Sequence, residues 1–133
     1  MIGKNNPFNI RFVKGNHWLG SSMQPQTRGF CNFDSLDFGI RAACILIMRS
    51  YRKQDVLTIS EIIHRFAPSS ENDTDKYIQF VCNGLSCFPF DIPKRSDFPM
   101  LLSSMSIFEG NKISPSEISE VIDKFKIVPY ICK

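Results

Sequence analysis

Long apolar runs are scarce in this 133-residue chain: the longest, Ala42 to Met48, falls far short of the roughly 20 residues a membrane-spanning helix needs. No membrane span is expected. Five cysteines, Cys31, Cys44, Cys82, Cys87 and Cys132, include no CxxC pair, and with only His17 and His64 beside them they read as core fillers rather than a disulfide or zinc framework. Glu61 and His64 form one ExxH where a di-iron bundle needs two, so no metal and no cofactor are expected. GxxxxGK[ST], GxGxxG and GxSxG are all missing, which leaves phosphate-cradle and nucleophile-elbow chemistry without support. The first residues lack the apolar stretch and small-residue cleavage site of a secretory signal, so synthesis in a reducing cytoplasm is the expectation.

What the chain does contain is 43% hydrophobic residues, 12 Phe and 22% charged residues, enough to bury the core of one domain over 1–133. The net charge of +3 hides an asymmetry. Residues 1 to 57 carry eight Lys or Arg against three acids, and 58 to 133 carry eight against ten. Arg11, Lys14, Arg28 and Arg41 could track a phosphate backbone, but no RNP, KH or helix-turn-helix pattern accompanies them, which weighs against nucleic acid as a partner.

Residues 1–34 read as an irregular segment with a loose hairpin, its strands at Ile10 to Lys14 and Gly29 to Phe33 and a polar loop between them. Residues 35–133 read as about five helices, which makes the fold mainly α, or α+β with a small N-terminal hairpin. The first helix starts at Asp34 or Ser35 and runs through Gln54, apolar nearly all round as a central helix is, with Arg49, Arg52 and Lys53 keeping its end in water. Thr58 and Glu61 form a capping box for the second, which Pro68 stops. Tyr77, Ile78, Phe80 and Val81 mark a third helix ending at Asn83–Gly84, Ser96 or Asp97 caps a fourth through Ile107, and Ser114, Pro115 and Glu117 open a fifth that reaches about Phe125.

The carboxylates carry the most chemistry. Glu71 lies in the polar loop APSSENDTDKY beside Asp73, Asp75 and Tyr77, where it could serve as the protonated acid of a glycosidase or, with its neighbours, as a first-turn acid at a helix N-terminus. Asn5, Asn6, Asn9 and Arg11 can line a saccharide groove or form Asx turns. Trp18, the only tryptophan, suits a stacking platform or a lid on the core.

Three blocks carry a resemblance. They are Asn5 to Arg11 (NNPFNIR), Gly29 to Ala43 (GFCNFDSLDFGIRAA) and Phe66 to Tyr77 (FAPSSENDTDKY). In this order they resemble a family of small phage and prophage proteins, often labelled virion structural proteins, in which Trp commonly stands where Phe66 does. That family is distantly similar to lysozyme-like peptidoglycan hydrolases of the glucosaminidase and lytic transglycosylase type. The resemblance implies a lysozyme-like helical domain with a groove lined by the Asn-rich turn, the hairpin and the Glu71 loop. In those hydrolases the catalytic Glu precedes the Asn-rich turn, whereas no acid precedes Asn5 here. The expected acid is therefore Glu71, with Asp34 or Asp73 as second carboxylate, Asn72 and Tyr77 orienting the substrate, and Arg11 or Arg41 buttressing the groove. The expected partners are peptidoglycan glycan strands or, for a non-catalytic protein, other virion proteins. Either implies a place in the virion or release to the cell wall.

Overall fold

The computed structural model describes residues 1–131, so Cys132 lies outside the described residues. A small antiparallel hairpin, β1 (Ser21–Thr27) and β2 (Phe30–Phe33), precedes five helices. Between the strands Arg28 and Gly29 both take positive φ, 53° and 86°, the sign pattern of a two-residue hairpin turn whose twist matches its strands. The side chain of Gln26 accepts from the Gly29 N–H at 2.9 Å and closes that turn.

The first strand is not where alternation predicts it. Ile10–Lys14 contributes only a single bridge, Arg11 to Phe30, and the paired strand is the polar stretch Ser21–Thr27. That stretch has no buried residue, so no period-two apolar pattern marks it. It is held instead by backbone pairing and by the buried amide of Asn32, which donates to Gln24 O at 2.9 Å while accepting from the Lys4 N–H at 2.7 Å. The other side of β2 is covered by the Ile10 segment: Cys31 N–H donates to Ile10 O (2.9 Å) and Phe12 N–H to Gly29 O (2.8 Å).

The central helix, α1, runs from Leu36–Ile45 through a π-helical turn at Leu46–Ser50 into Tyr51–Lys53. Ile40, Ala42, Ala43, Cys44, Ile47 and Met48 bury it against the other elements. Gly39 is required by packing, because a Cβ there would stand 1.9 Å from the Asn5 carbonyl oxygen of the N-terminal turn. Its basic end does more than face water. Arg49 donates to Val128 O (2.8 Å) and Arg52 to Tyr130 O (2.7 Å), while Tyr130 N–H donates to Met48 O (2.9 Å), so the end of α1 anchors the C-terminal segment.

Helix α2 (Ile59–Phe66) opens on the expected capping box: Glu61 N–H donates to Thr58 Oγ1 (3.1 Å) and Thr58 N–H to Glu61 Oε1 (3.0 Å). Helix α3 (Thr74–Leu85) is capped by Asp73, which accepts from Lys76 N–H at 3.2 Å. It passes through Asn83–Gly84 and ends at Ser86, which takes a left-handed conformation (φ 54°). Gly84 marks helix contact instead of a helix stop, since a Cβ there would lie 2.6 Å from Ser104 Oγ. Cys87 N–H then reaches back to Cys82 O (3.1 Å), as in a Schellman-type ending. One 3-10 turn (Arg95–Asp97) leads into α4 (Phe98–Phe108), and α5 (Pro115–Lys124) starts from the capping box of Ser114 and Glu117. Leu101, Leu102 and Met105 of α4 pack among Tyr77, Val81 and Ile118 in the core. Among the described residues the cysteines are free, Cys31, Cys44 and Cys82 being buried. Burial pushes the Cys44 thiol up to about 12, as suits an inert core residue.

Candidate functional site

The loop between α2 and α3 is built by the least polar parts of its motif. Pro68 ends α2, and its carbonyl then accepts from the N–H groups of Glu71 (3.0 Å) and Asn72 (3.1 Å) and from the Asn72 side chain (3.3 Å). The buried hydroxyl of Thr74 donates to Ala67 O and ties the two ends together. Asp73 is used as the cap of α3 and Asp75 lies in its first turn. Glu71 is left over: it belongs to no cap, its side chain is half exposed, and its Oε2 lies 3.5 Å from the Arg11 guanidinium. The same guanidinium stands over the Phe30 ring, 4.8 Å from its centroid.

These residues form one edge of a cleft of about 400 Å³. Asn9, Ile10 and Arg11 come from the N-terminal turn, Trp18 from the segment before β1, Phe30 from β2, and Phe66, Ala67, Pro68, Glu71 and Asn72 from the end of α2 and its loop. Leu46 and Tyr51 enter from α1, where the Tyr51 N–H bonds to Leu46 O across the π turn. Wide turns of this kind recur at functional sites because they displace side chains from the regular helical register. Arg65 adds a second cation, its guanidinium 5.8 Å from the Tyr51 ring centroid. Burial pushes the Tyr51 phenol well above its ordinary range, against the opposing effect of Arg65.

The floor holds a carboxylate that the sequence reading passed over, Glu109, at the C-terminal end of α4. Asn9, in a left-handed conformation (φ 52°), donates its amide to Glu109 Oε1 (3.0 Å) and Glu109 O (3.3 Å). Its Oδ1 is enclosed without a hydrogen-bond partner among the described residues. Tyr77 lies beneath, fully buried, stacked on Phe108 at 4.1 Å and donating to Met105 O (3.3 Å). Burial and then the adjacent Glu109 carboxylate drive the Tyr77 phenol far above its ordinary value, so it stays protonated. One signal for Glu109 was present: it is the only charged residue between Asp97 and Lys112, set directly before the Gly110–Asn111 helix stop.

Of the residues singled out in the sequence, the structure brings Glu71, Asn72, Asn9 and Arg11 together in this cleft. Trp18 lines it too, and the remaining ones lie elsewhere. Asn6 is fully buried, donating to Ile10 O (2.9 Å) and Cys31 O (3.0 Å) and accepting from Ile10 N–H (2.9 Å). Asn5, with φ 54°, donates to Phe33 O at 3.0 Å. Both are turn-forming amides. Asp34 lines a separate depression with Lys4 and Gln24, Arg41 packs 5.7 Å from the Phe125 ring centroid, and Tyr77 is under the cleft floor with no exposed surface. Neither Asp34 nor Asp73 lines this cleft. Among the described residues no group of three or more His, Cys, Asp or Glu side chains is arranged to hold a metal ion, and no helix is long and apolar enough to cross a membrane.

No family model matches the chain. Protein P5 of Pseudoalteromonas phage PM2 is 33% identical to it over 128 residues, which covers 94% of this chain and 79% of that protein.

Proposed function

The chain belongs to the phage protein family of Protein P5 of Pseudoalteromonas phage PM2, and from the make-up of its cleft we propose that it binds peptidoglycan glycan strands there and hydrolyses them by acid catalysis from Glu71. The observation that carries this reading is the composition of the cleft: Glu71 and Glu109 share it with the aromatic rings of Trp18, Phe30, Tyr51 and Phe66 and the amides of Asn9 and Asn72. Aromatic faces stack on the apolar faces of sugars, amides pair with hydroxyl and N-acetyl groups, and a carboxyl group supplies the proton that glycosidic cleavage needs. At 3.5 Å the Arg11–Glu71 pair is long for a guanidinium–carboxylate contact, so a seated glycan can part it and exclude water from the carboxyl group.

The test is clearing of purified peptidoglycan by wild type and Glu71→Gln across roughly pH 4 to 8, with product masses measured. Clearing by wild type alone, with new reducing ends, supports the reading, whereas anhydro-sugar termini would show cleavage without water and overturn hydrolysis. No sedimentation with peptidoglycan and no clearing by the wild type would discard it. A second reading, a non-catalytic virion structural protein acting through protein contacts, draws on a different observation: Phe88, Phe90 and Ile92 are exposed by 74%, 83% and 52% on one short segment. For that reading, Phe88→Ser with Phe90→Ser should abolish incorporation into virions, whereas the cleft variants should leave it intact.

A further inference from the structure

Glu109 is placed as a working group. It is the one charged residue between Asp97 and Lys112, set where α4 ends, and it lines the cleft, where Asn9 donates to it at 3.0 Å. Asn9 holds a left-handed backbone and spends its amide N–H groups on Glu109, on Oε1 and on the backbone carbonyl, so the carboxylate is fixed at the end of α4 while it lines the cleft. Glu71, by contrast, stands at the rim, open to water and beside Arg11.

We propose that Glu109 is the second catalytic carboxylate of the cleft it shares with Glu71, the base that activates water, with Asn9 as its positioning residue. This rests on the glycosidase reading above. In the step, the proton of Glu71 moves to the glycosidic oxygen as its bond to the anomeric carbon breaks. A water oxygen bonds to that carbon, and the water proton passes to Glu109. One water is added across the bond, and the two carboxyl groups regain their starting states by exchanging protons with solvent.

The experiment compares wild type, Glu109→Ala, Glu109→Gln and Glu71→Gln on purified peptidoglycan sacculi, measuring clearing, sedimentation with the sacculi and melting temperature. Clearing by Glu109→Ala should fall about 100-fold or more with sacculus binding kept, and added sodium azide, a nucleophile that needs no base, should restore turnover and leave a glycosyl azide product. Glu109→Gln, which keeps an acceptor for Asn9, should melt like wild type and be equally impaired. Wild-type clearing by either Glu109 variant overturns the assignment, as does a loss that azide leaves unchanged in a variant that binds and melts normally. If the wild type binds sacculi and never clears them, hydrolysis and the Glu109 role both fail while glycan binding stands. If the wild type does not bind, the proposed function itself fails.

Discussion

In the first 34 residues buried amides hold the chain together, whereas the helical body is held by apolar side chains and capped helix ends. Asn6 and Asn32 are as deeply buried as Leu101 and Ile63, yet each satisfies several backbone groups of segments that form no regular ladder. Such a region depends on donor and acceptor placement, which no apolar residue of similar size reproduces. The helices satisfy their own backbones and depend on volume, which similar side chains do reproduce. The cleft lies at the seam of the two, one side built from turns and the other from helix ends.

Replacing one residue in each region breaks the comparison most directly. Asn6→Leu should cost about 3 kcal/mol or more, because the Ile10 N–H and the Ile10 and Cys31 carbonyls lose their partner together. Leu101→Met should cost less than about 1.5 kcal/mol, and Leu101→Ala about 2 to 5 kcal/mol. Urea denaturation read by circular dichroism measures all three, and equal costs for Asn6→Leu and Leu101→Met would remove the distinction.

Gly84→Ala tests whether volume limits the helical body. The new methyl group would meet Ser104 Oγ, so a loss of about 1 to 3 kcal/mol is expected, largely recovered when combined with Ser104→Ala. A double-mutant cycle without coupling would contradict the close approach of α3 and α4.

Smaller effects are expected at the caps. Thr58→Ala should lower stability by about 1 kcal/mol. Hydrogen bonds from the Thr58 backbone and hydroxyl hold the Glu61 carboxyl below its ordinary value of 4.5. The stability linked to that charge is therefore present above the unfolded value and lost as the pH falls through the folded one. The gap in melting temperature between wild type and Glu61→Gln should narrow on acidification below 4.5, and a gap that widens there would be the wrong sign.

The smallest effect belongs to the cleft rim. Glu71→Gln should change stability by less than about 1 kcal/mol, since the ion pair it loses is half exposed and 3.5 Å long. A larger loss in thermal unfolding would make Glu71 a structural residue.

The helices were legible wherever a start or stop signal is local. Ser35, Thr58, Asp97 and Ser114 each stand at a helix start, and at Thr58 and Ser114 the side chain makes the cap, which involves only neighbours within one turn. Reading failed at β1, which is paired without a buried face, and at Gly84, whose meaning lies in Ser104 of another helix. In the cleft, Glu71 and Asn72 stood out because Pro68 and Thr74 shape their loop locally. Glu109 did not, because nothing near it in sequence shows what it faces.

Sequence alone therefore determined the helical class, most helix boundaries and the phage resemblance, all of which rest on interactions within a few residues or on ordered motifs. Only the tertiary structure decided which polar residues meet. Asn9 and Glu109 are 100 residues apart in the chain and 3.0 Å apart in space, and Arg11 meets Glu71 across the mouth of the same cleft. Contacts of that range form when the turn of residues 5–11 docks against α1 and α4, and the packing that sets this docking leaves no periodic mark on either partner.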